Sequence, residues 1–321
     1  MVRQVSRRAF VLIGMHRSGT SALTRVLSLL GADLPKTLIG AAPGNEAGHW
    51  ESRAVCELND RILRAAGSAW YDWRAIDPRF FASPQAAELR AEAKATLIDE
   101  FGDSVLFVLK DPRICRLYPF WQEVLTDAGV EPLPVIPLRS PLEVAASLEA
   151  RDGMLPALGM LVWLRHVLDA ERFSRGGQRV VTGYDALLAD WRPAADRIAG
   201  TFRLRWAAPA AEAGKAINGF LSTELRHHAV DATIEAPGLA PWIRDTFSIL
   251  HRWAAEGEDA ADHPALDRTE EALRATEPCF APLIATGIEA VLKARELESR
   301  LAKVAAASGL PRREDHGPEK E

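Results

Sequence analysis

Residues Phe10-Val11-Leu12-Ile13-Gly14-Met15-His16-Arg17-Ser18-Gly19-Thr20-Ser21 constrain the fold more than any other stretch of the chain. The unbroken apolar run Phe10 to Ile13 predicts a strand buried on both faces. Gly14 and Gly19 then bound a tight loop. A helix follows from Ser21 to Leu30, with an apolar stripe of Ala22, Leu23, Val26, Leu27 and Leu30, and Gly31 is a natural stop. A buried strand, a glycine loop and a helix N-terminus in that order present backbone N–H groups to an anion. In nucleotide-hydrolysing proteins this loop follows G-x-x-x-x-G-K-[ST]. Gly14, Gly19 and Ser21 keep that spacing, but Thr20 stands where the lysine belongs, and the cation is Arg17, inside the loop. Without a lysine to reach the β- and γ-phosphates, the loop is poorly suited to hydrolysing ATP or GTP.

The same alternation recurs downstream. Val105 to Leu109 predicts a second buried strand, running into Lys110-Asp111-Pro112-Arg113. Pro134 to Leu138 predicts a third, ending at Arg139, and Arg179 to Thr182 a fourth, leading to Tyr184-Asp185. Helical periodicity fills the intervals at Ser52 to Gly67, Pro84 to Phe101, Tyr118 to Ala128 and Leu155 to Arg175. Ser140-Pro141-Leu142-Glu143 has the form of a capping box with proline at the first helical position. Strands alternating with helices imply an α/β fold with a mainly parallel sheet flanked by helices. In such sheets ligands bind beyond the C-terminal strand ends, where Gly14, Lys110, Arg139 and Tyr184 all fall. After Trp206 only helices are indicated, at Phe220 to His228, Trp242 to Glu256, Leu266 to Ala275 and Thr286 to Val304. The expected organisation is an α/β core over residues 1–205, a helical extension over 206–307 on the acceptor side, and a disordered tail over 308–321.

At 321 residues, 48% of them hydrophobic, the chain can bury a large core. A net charge of −5 argues against a dedicated nucleic-acid binder. Cys56, Cys115 and Cys279 are widely spaced, without a metal-binding pattern, and suit a reducing, cytoplasmic setting. No stretch approaches the roughly 18 apolar residues of a bilayer span. Trp70, Tyr71 and Trp73 cluster in a loop, either packed over the core edge or serving as a sugar or nucleotide platform. His227 and His228 are adjacent on one helix and point apart, which does not suit metal binding.

Together the Phe10–Leu23 loop, the Leu109–Arg113 strand end and the Leu138–Ser147 strand-helix unit resemble the sulfotransferase family, especially bacterial members whose loop reads G-x-H-R-S-G-T-S. The resemblance covers roughly residues 8 to 205. It implies a P-loop-like three-layer sandwich and 3′-phosphoadenosine 5′-phosphosulfate as sulfonate donor. It further implies that Arg17, Ser18, Gly19, Thr20 and Ser21 hold the 5′-phosphosulfate. Arg139 and Ser147 match the arginine and serine that grip the 3′-phosphate. Tyr184 falls in a segment like the family's Y-E-D-L, near the adenine. A planar guanidinium suits a terminal phosphate because it donates twice. Without a ligand, Arg139 would pair with Glu143, Ser147 would pack between helices, and Tyr184 would be a core side chain.

The chemistry requires a cation on the sulfonate and a base for the acceptor hydroxyl. Arg17 and Lys110 are the candidate cations, with Lys110 alternatively part of an ion-pair network with Asp111 and Arg113. Glu51 is the first candidate base, Glu46 the second and His49 the third. Glu51 could equally be a helix first-turn charge. Other family branches place a histidine after the second strand; here Asp111-Pro112-Arg113 stands instead, so the base stays open among the three. The expectation is transfer of a sulfonate to a hydroxyl acceptor, on a carbohydrate, with no metal, no nucleic-acid partner and no integral membrane segment. The competing readings are a P-loop small-molecule kinase and a non-catalytic nucleotide-binding module. Oligomeric state is not specified by the sequence.

Overall fold

The computed structural model describes residues 7–40, 48–208, 210–221 and 239–308. Four strands, β1 (Arg7–Leu12), β2 (Leu106–Lys110), β3 (Val130–Leu138) and β4 (Val180–Gly183), form one all-parallel sheet in the order β2-β1-β3-β4. Helices fill the connections: α1 (Thr20–Leu29), α2 (Arg53–Ala65), α3 (Pro84–Phe101), α4 (Ile114–Asp127), α5 (Pro141–Asp152) and α6 (Pro156–Ser174). After β4 come α7 (Tyr184–Ala189), α8 (Arg192–Phe202), α9 (Ala210–Phe220), α10 (Pro241–Glu256) and α11 (His263–Ser308). The chain goes from β1 outward to β2, then crosses back to β3 on the other side of β1. That reversal opens a crevice between the ends of β1 and β3, the usual ligand position in such sheets.

Alternation along each strand builds a core on both faces. Phe10, Leu12, Val108, Leu133, Val135 and Val180 pack with Leu23, Val26 and Leu27 of α1, Ile198 and Phe202 of α8, and Ile217 of α9. Ala9, Val11, Phe107, Leu109 and Ile136 are equally buried on the opposite face.

Strand β3 begins earlier than the apolar run suggested, at Val130, and contains Pro132, Pro134 and Pro137. The amide of Ile13 donates to the Val135 carbonyl at 2.9 Å, so odd-numbered residues of β3 face β1. Pro132 and Pro134 therefore point toward β4, before its pairing begins at Val135. Pro137 points toward β1, whose register ends at Leu12 opposite Val135. Each proline sits where the ladder asks for no donor, which is how a central strand tolerates them.

Three further departures concern helices. The sequence leads to the expectation of one helix after Tyr184-Asp185, and the chain forms two, α7 and α8. Helix α9 occupies a segment with no helical expectation, while the expected helix toward His228 runs into residues outside the description. The two expected terminal helices are one, α11, which continues through Pro278 and Pro282. The described residues fall into two compact units, divided between Glu270 and Glu271. Among the described residues no helix is long and apolar enough to cross a membrane.

Candidate functional site

The loop after β1 is shaped by two left-handed residues, Arg17 (φ 66°) and Gly19 (φ 81°), and by a turn in which Ser18 N–H donates to the Met15 carbonyl at 3.2 Å. Gly19 is the N-cap of α1 and no side chain caps that helix. Its first N–H groups are the kind an anion satisfies. Both glycines are required by close approach. A Cβ on Gly14 would lie 2.4 Å from Pro137 Cγ, and one on Gly19 would lie 2.2 Å from the Tyr184 ring. The Ser18 hydroxyl is buried, only 1% of the residue being exposed, and has no partner. An orphaned hydroxyl inside an uncapped loop fits a phosphate or sulfate oxygen.

The end of β3 locks onto this loop. Arg139 Nη1 donates to the Arg17 carbonyl at 3.1 Å, while Arg17 Nε donates to Ser147 Oγ on α5 at 2.6 Å. Arg139 Nε also donates to Glu143 at 2.7 Å, and its guanidinium lies 4.7 Å from the Tyr184 ring centroid. The Arg139–Glu143 pair is therefore real, and it coexists with the loop contact. Ser140 makes no side-chain cap to α5. The expected capping box is absent because Glu143 is turned to Arg139 rather than back to the helix start. Tyr184 is buried against Gly19 and Arg139. Burial lowers the basicity of Arg17, and the neighbouring cations Arg151 and Arg139 lower it further. An anion among them would relieve that repulsion.

The end of β2 contributes Lys110, 3% exposed. Its Nζ donates to Ser21 Oγ at 3.2 Å, to the His49 carbonyl at 2.8 Å and to the Glu51 carboxylate. A lysine is thus beside the loop after all, supplied by the neighbouring strand. The three hydrogens of its ammonium match these three acceptors. The other Glu51 oxygen accepts from the Cys56 thiol at 3.3 Å. Burial alone would raise the Glu51 pKa, but the Lys110 ammonium and the thiol hydrogen bond outweigh it and hold the carboxyl below its ordinary range. Burial also lowers the pKa of the His49 imidazole, with Glu51 opposing and Lys110 assisting.

Glu51, Cys56 and Asp111 bring donor atoms within 4.8 Å of one another. Cations already occupy this set: Lys110 lies on Glu51, and Arg113 lies on Asp111 at 3.0 Å and on Asp60 at 2.6 Å. Burial pushes the Cys56 thiol far above its usual range, so it stays protonated.

The fold thus brings together Arg17, Ser18, Gly19, Thr20, Ser21, Arg139, Ser147 and Tyr184, with Lys110, His49 and Glu51 beside them. Glu46, His227 and His228 lie outside the described residues. Sequence reasoning missed Cys56, Trp163 (whose indole donates to the Arg139 carbonyl at 3.2 Å) and Arg151. The periodicity of α2 and α6 marks Cys56 and Trp163 only as core positions.

No protein-family model matches the chain, and no curated protein does either. Among solved structures it is similar to the sulfotransferase domain of the Synechococcus PCC 7002 olefin synthase, at 16% identity and a TM-score of 0.43 over 77% of this chain and 94% of that one. It is also similar to a sulfotransferase domain from the curacin biosynthetic pathway, at 14% identity and a TM-score of 0.37 over 62% of this chain and 74% of that one.

Proposed function

We propose that this chain is a sulfotransferase that moves a sulfonate from 3′-phosphoadenosine 5′-phosphosulfate to a hydroxyl, on a carbohydrate. The observation that carries the reading is the interlock at the β1–β3 crevice. Arg139 donates to the Arg17 carbonyl while Arg17 donates to Ser147, so one anion nest and one guanidinium are built as a unit beside a partnerless hydroxyl. In this reading the loop N–H groups, Ser18, Thr20 and Ser21 hold the 5′-phosphosulfate. Arg139 and Ser147 hold the 3′-phosphate, and Tyr184 fixes Arg139 and Gly19 beside the adenosine.

The acceptor oxygen forms a bond to sulfur as the bond from sulfur to the phosphate oxygen breaks, and the electron pair leaves on that phosphate. Arg17 and Lys110 offset the charge that grows there. Glu51 takes the acceptor proton. Its proton affinity is coupled to Lys110: when the ammonium turns toward the leaving oxygen, Glu51 loses the partner that held its pKa down, and burial then raises it. A weak base becomes a stronger one at the moment of transfer. His49, whose carbonyl accepts from Lys110, is the third candidate for that proton, after Glu46.

Calorimetric titration with nucleotides tests the assignment. 3′,5′-Diphosphoadenosine should bind without Mg²⁺, on the order of tenfold or more tighter than AMP, since charge-assisted hydrogen bonds contribute about 1.5–3 kcal/mol. Preference for Mg-ATP over diphosphoadenosine would sink it in favour of a kinase.

A further inference from the structure

The aromatic loop before the 3-10 turn Pro78–Ala82 divides into two roles. Trp73 is core, 4% exposed. Trp70 and Tyr71 are not: Tyr71 is 44% exposed and Trp70 is half-buried. Their rings stand at 87° with centroids 5.6 Å apart, forming a right-angled corner. This corner abuts the anion loop directly, since the Trp70 ring lies 4.6 Å from the ring of His16. His16 Nε2 is sealed from solvent with no partner. The guanidinium of Arg151, at the end of α5, lies 5.6 Å from the Trp70 ring centroid and pairs with Asp152 at 2.6 Å.

The loop is held from beneath at unusual cost. Arg116 and Arg165 are fully buried. Arg116 donates to the carbonyls of Asp72 and Arg74, both at 2.5 Å, and Arg165 donates to the Trp73 carbonyl at 3.0 Å. Asp169 and Glu270 balance the two cations. Two buried guanidinium groups that position three consecutive carbonyls make a rigid base, which is what a recognition surface needs.

We propose that the Trp70–Tyr71 corner is the acceptor subsite and that it takes a pyranoside ring. The proposal rests on the sulfotransferase reading. Lys110 and Glu51 close the β2 side of the crevice, and Arg139 and Tyr184 close the β3–β4 side. In that reading the donor occupies the latter, which leaves the acceptor the side where the corner meets His16 and where Arg116, on the helix that follows β2, carries the loop. A flat aryl acceptor would call for a slot between parallel faces. A perpendicular pair rimmed by Arg151 and Asp152 instead offers one ring to the C–H face of a sugar and planar charged groups to its hydroxyls.

Saturation-transfer NMR on the full chain loaded with 3′,5′-diphosphoadenosine tests this, with methyl β-glucoside, methyl β-galactoside and phenol as probes. A glycoside should receive saturation at its ring C–H protons, lose it in Trp70→Ala and keep it in Trp70→Phe. With donor present, Trp70→Ala should raise the glycoside KM about tenfold or more while kcat changes less than about threefold, the pattern of lost uniform binding. Affinity for diphosphoadenosine should not change. Tyr71→Ala, at an exposed position, gives the same answer if Trp70→Ala fails to fold. Phenol binding in place of both glycosides would overturn the proposal, as would an unchanged KM in the variants. If the wild-type chain does not bind diphosphoadenosine, the functional reading itself falls and the acceptor assignment with it.

Discussion

Lys110 and Glu51 show how much a single pair decides. Each is buried, and each sets the opposite charge against the other where water is excluded. Lys110→Met should remove the cause that holds the Glu51 pKa down and leave burial to raise it. A ¹³C-labelled glutamate titration should therefore show the Glu51 carboxyl moving above its usual value of about 4.3. Turnover should fall about a hundredfold or more, as when one preorganised donor is removed from a transition-state site. A carboxyl that titrates at its wild-type position in Lys110→Met would show that the two groups are not coupled. At this scale the sequence was informative where a residue type carries its chemistry by position. Gly14, Arg17 and Gly19 sit in the loop after β1 and Lys110 and Arg139 at strand ends, and each could be picked out from its neighbours. Cys56 and Arg151 could not. Their contributions depend on contacts between segments far apart in the chain, which no local pattern records.

Among the elements, α5 separates a reading from local sequence from one of tertiary structure. Ser140 and Glu143 have capping-box spacing, and a true cap would be worth about 1 kcal/mol. Here Ser140 does not cap, and Glu143 serves Arg139. Ser140→Ala should therefore cost less than about 0.5 kcal/mol in urea denaturation, well short of a lost cap. Glu143→Ala should cost about 3–5 kcal/mol, because it breaks a buried ion pair. Similar losses for the two variants would restore the capping box. The strands were legible from apolar runs, since a sheet covered on both faces leaves little alternation to misread. The start of β3 was not, because three prolines argue against a central strand until the register shows which side each faces. The unity of α11 was hidden for the same reason: each proline forfeits a helix hydrogen bond, and sequence alone gives no measure of whether neighbouring turns compensate.

Across the whole molecule, the buried charges set a pH window for stability. His166 lies fully buried in α6, its Nδ1 2.8 Å from the Val162 carbonyl and its Nε2 without a partner. Burial, with Arg116 and Arg165 nearby, lowers its pKa to about 3. His16 is pushed well below its usual range by burial and by Arg113 and Arg151. In the unfolded chain both imidazoles bind a proton near pH 6.5. Below that pH the unfolded state binds more protons than the folded one, so stability rises with pH through the window and levels off above it. Their folded pKa values set the lower edge. From pH 6.5 to pH 5 each imidazole should remove up to about 2 kcal/mol, at about 1.4 kcal/mol per pH unit. Glu51, whose folded pKa is depressed, adds its own loss only further down, as pH falls below the usual carboxylate value. Urea denaturation at pH 7.5, 6.5, 5.5 and 5.0 should show a flat upper region and then a decline. His166→Gln, which keeps a donor for Val162, should reduce the slope by about one proton. A wild-type stability that stays level down to pH 5 would mean that the protonated imidazoles find partners or water in the folded chain, and that the packing around the anion loop and α6 is looser than their burial implies.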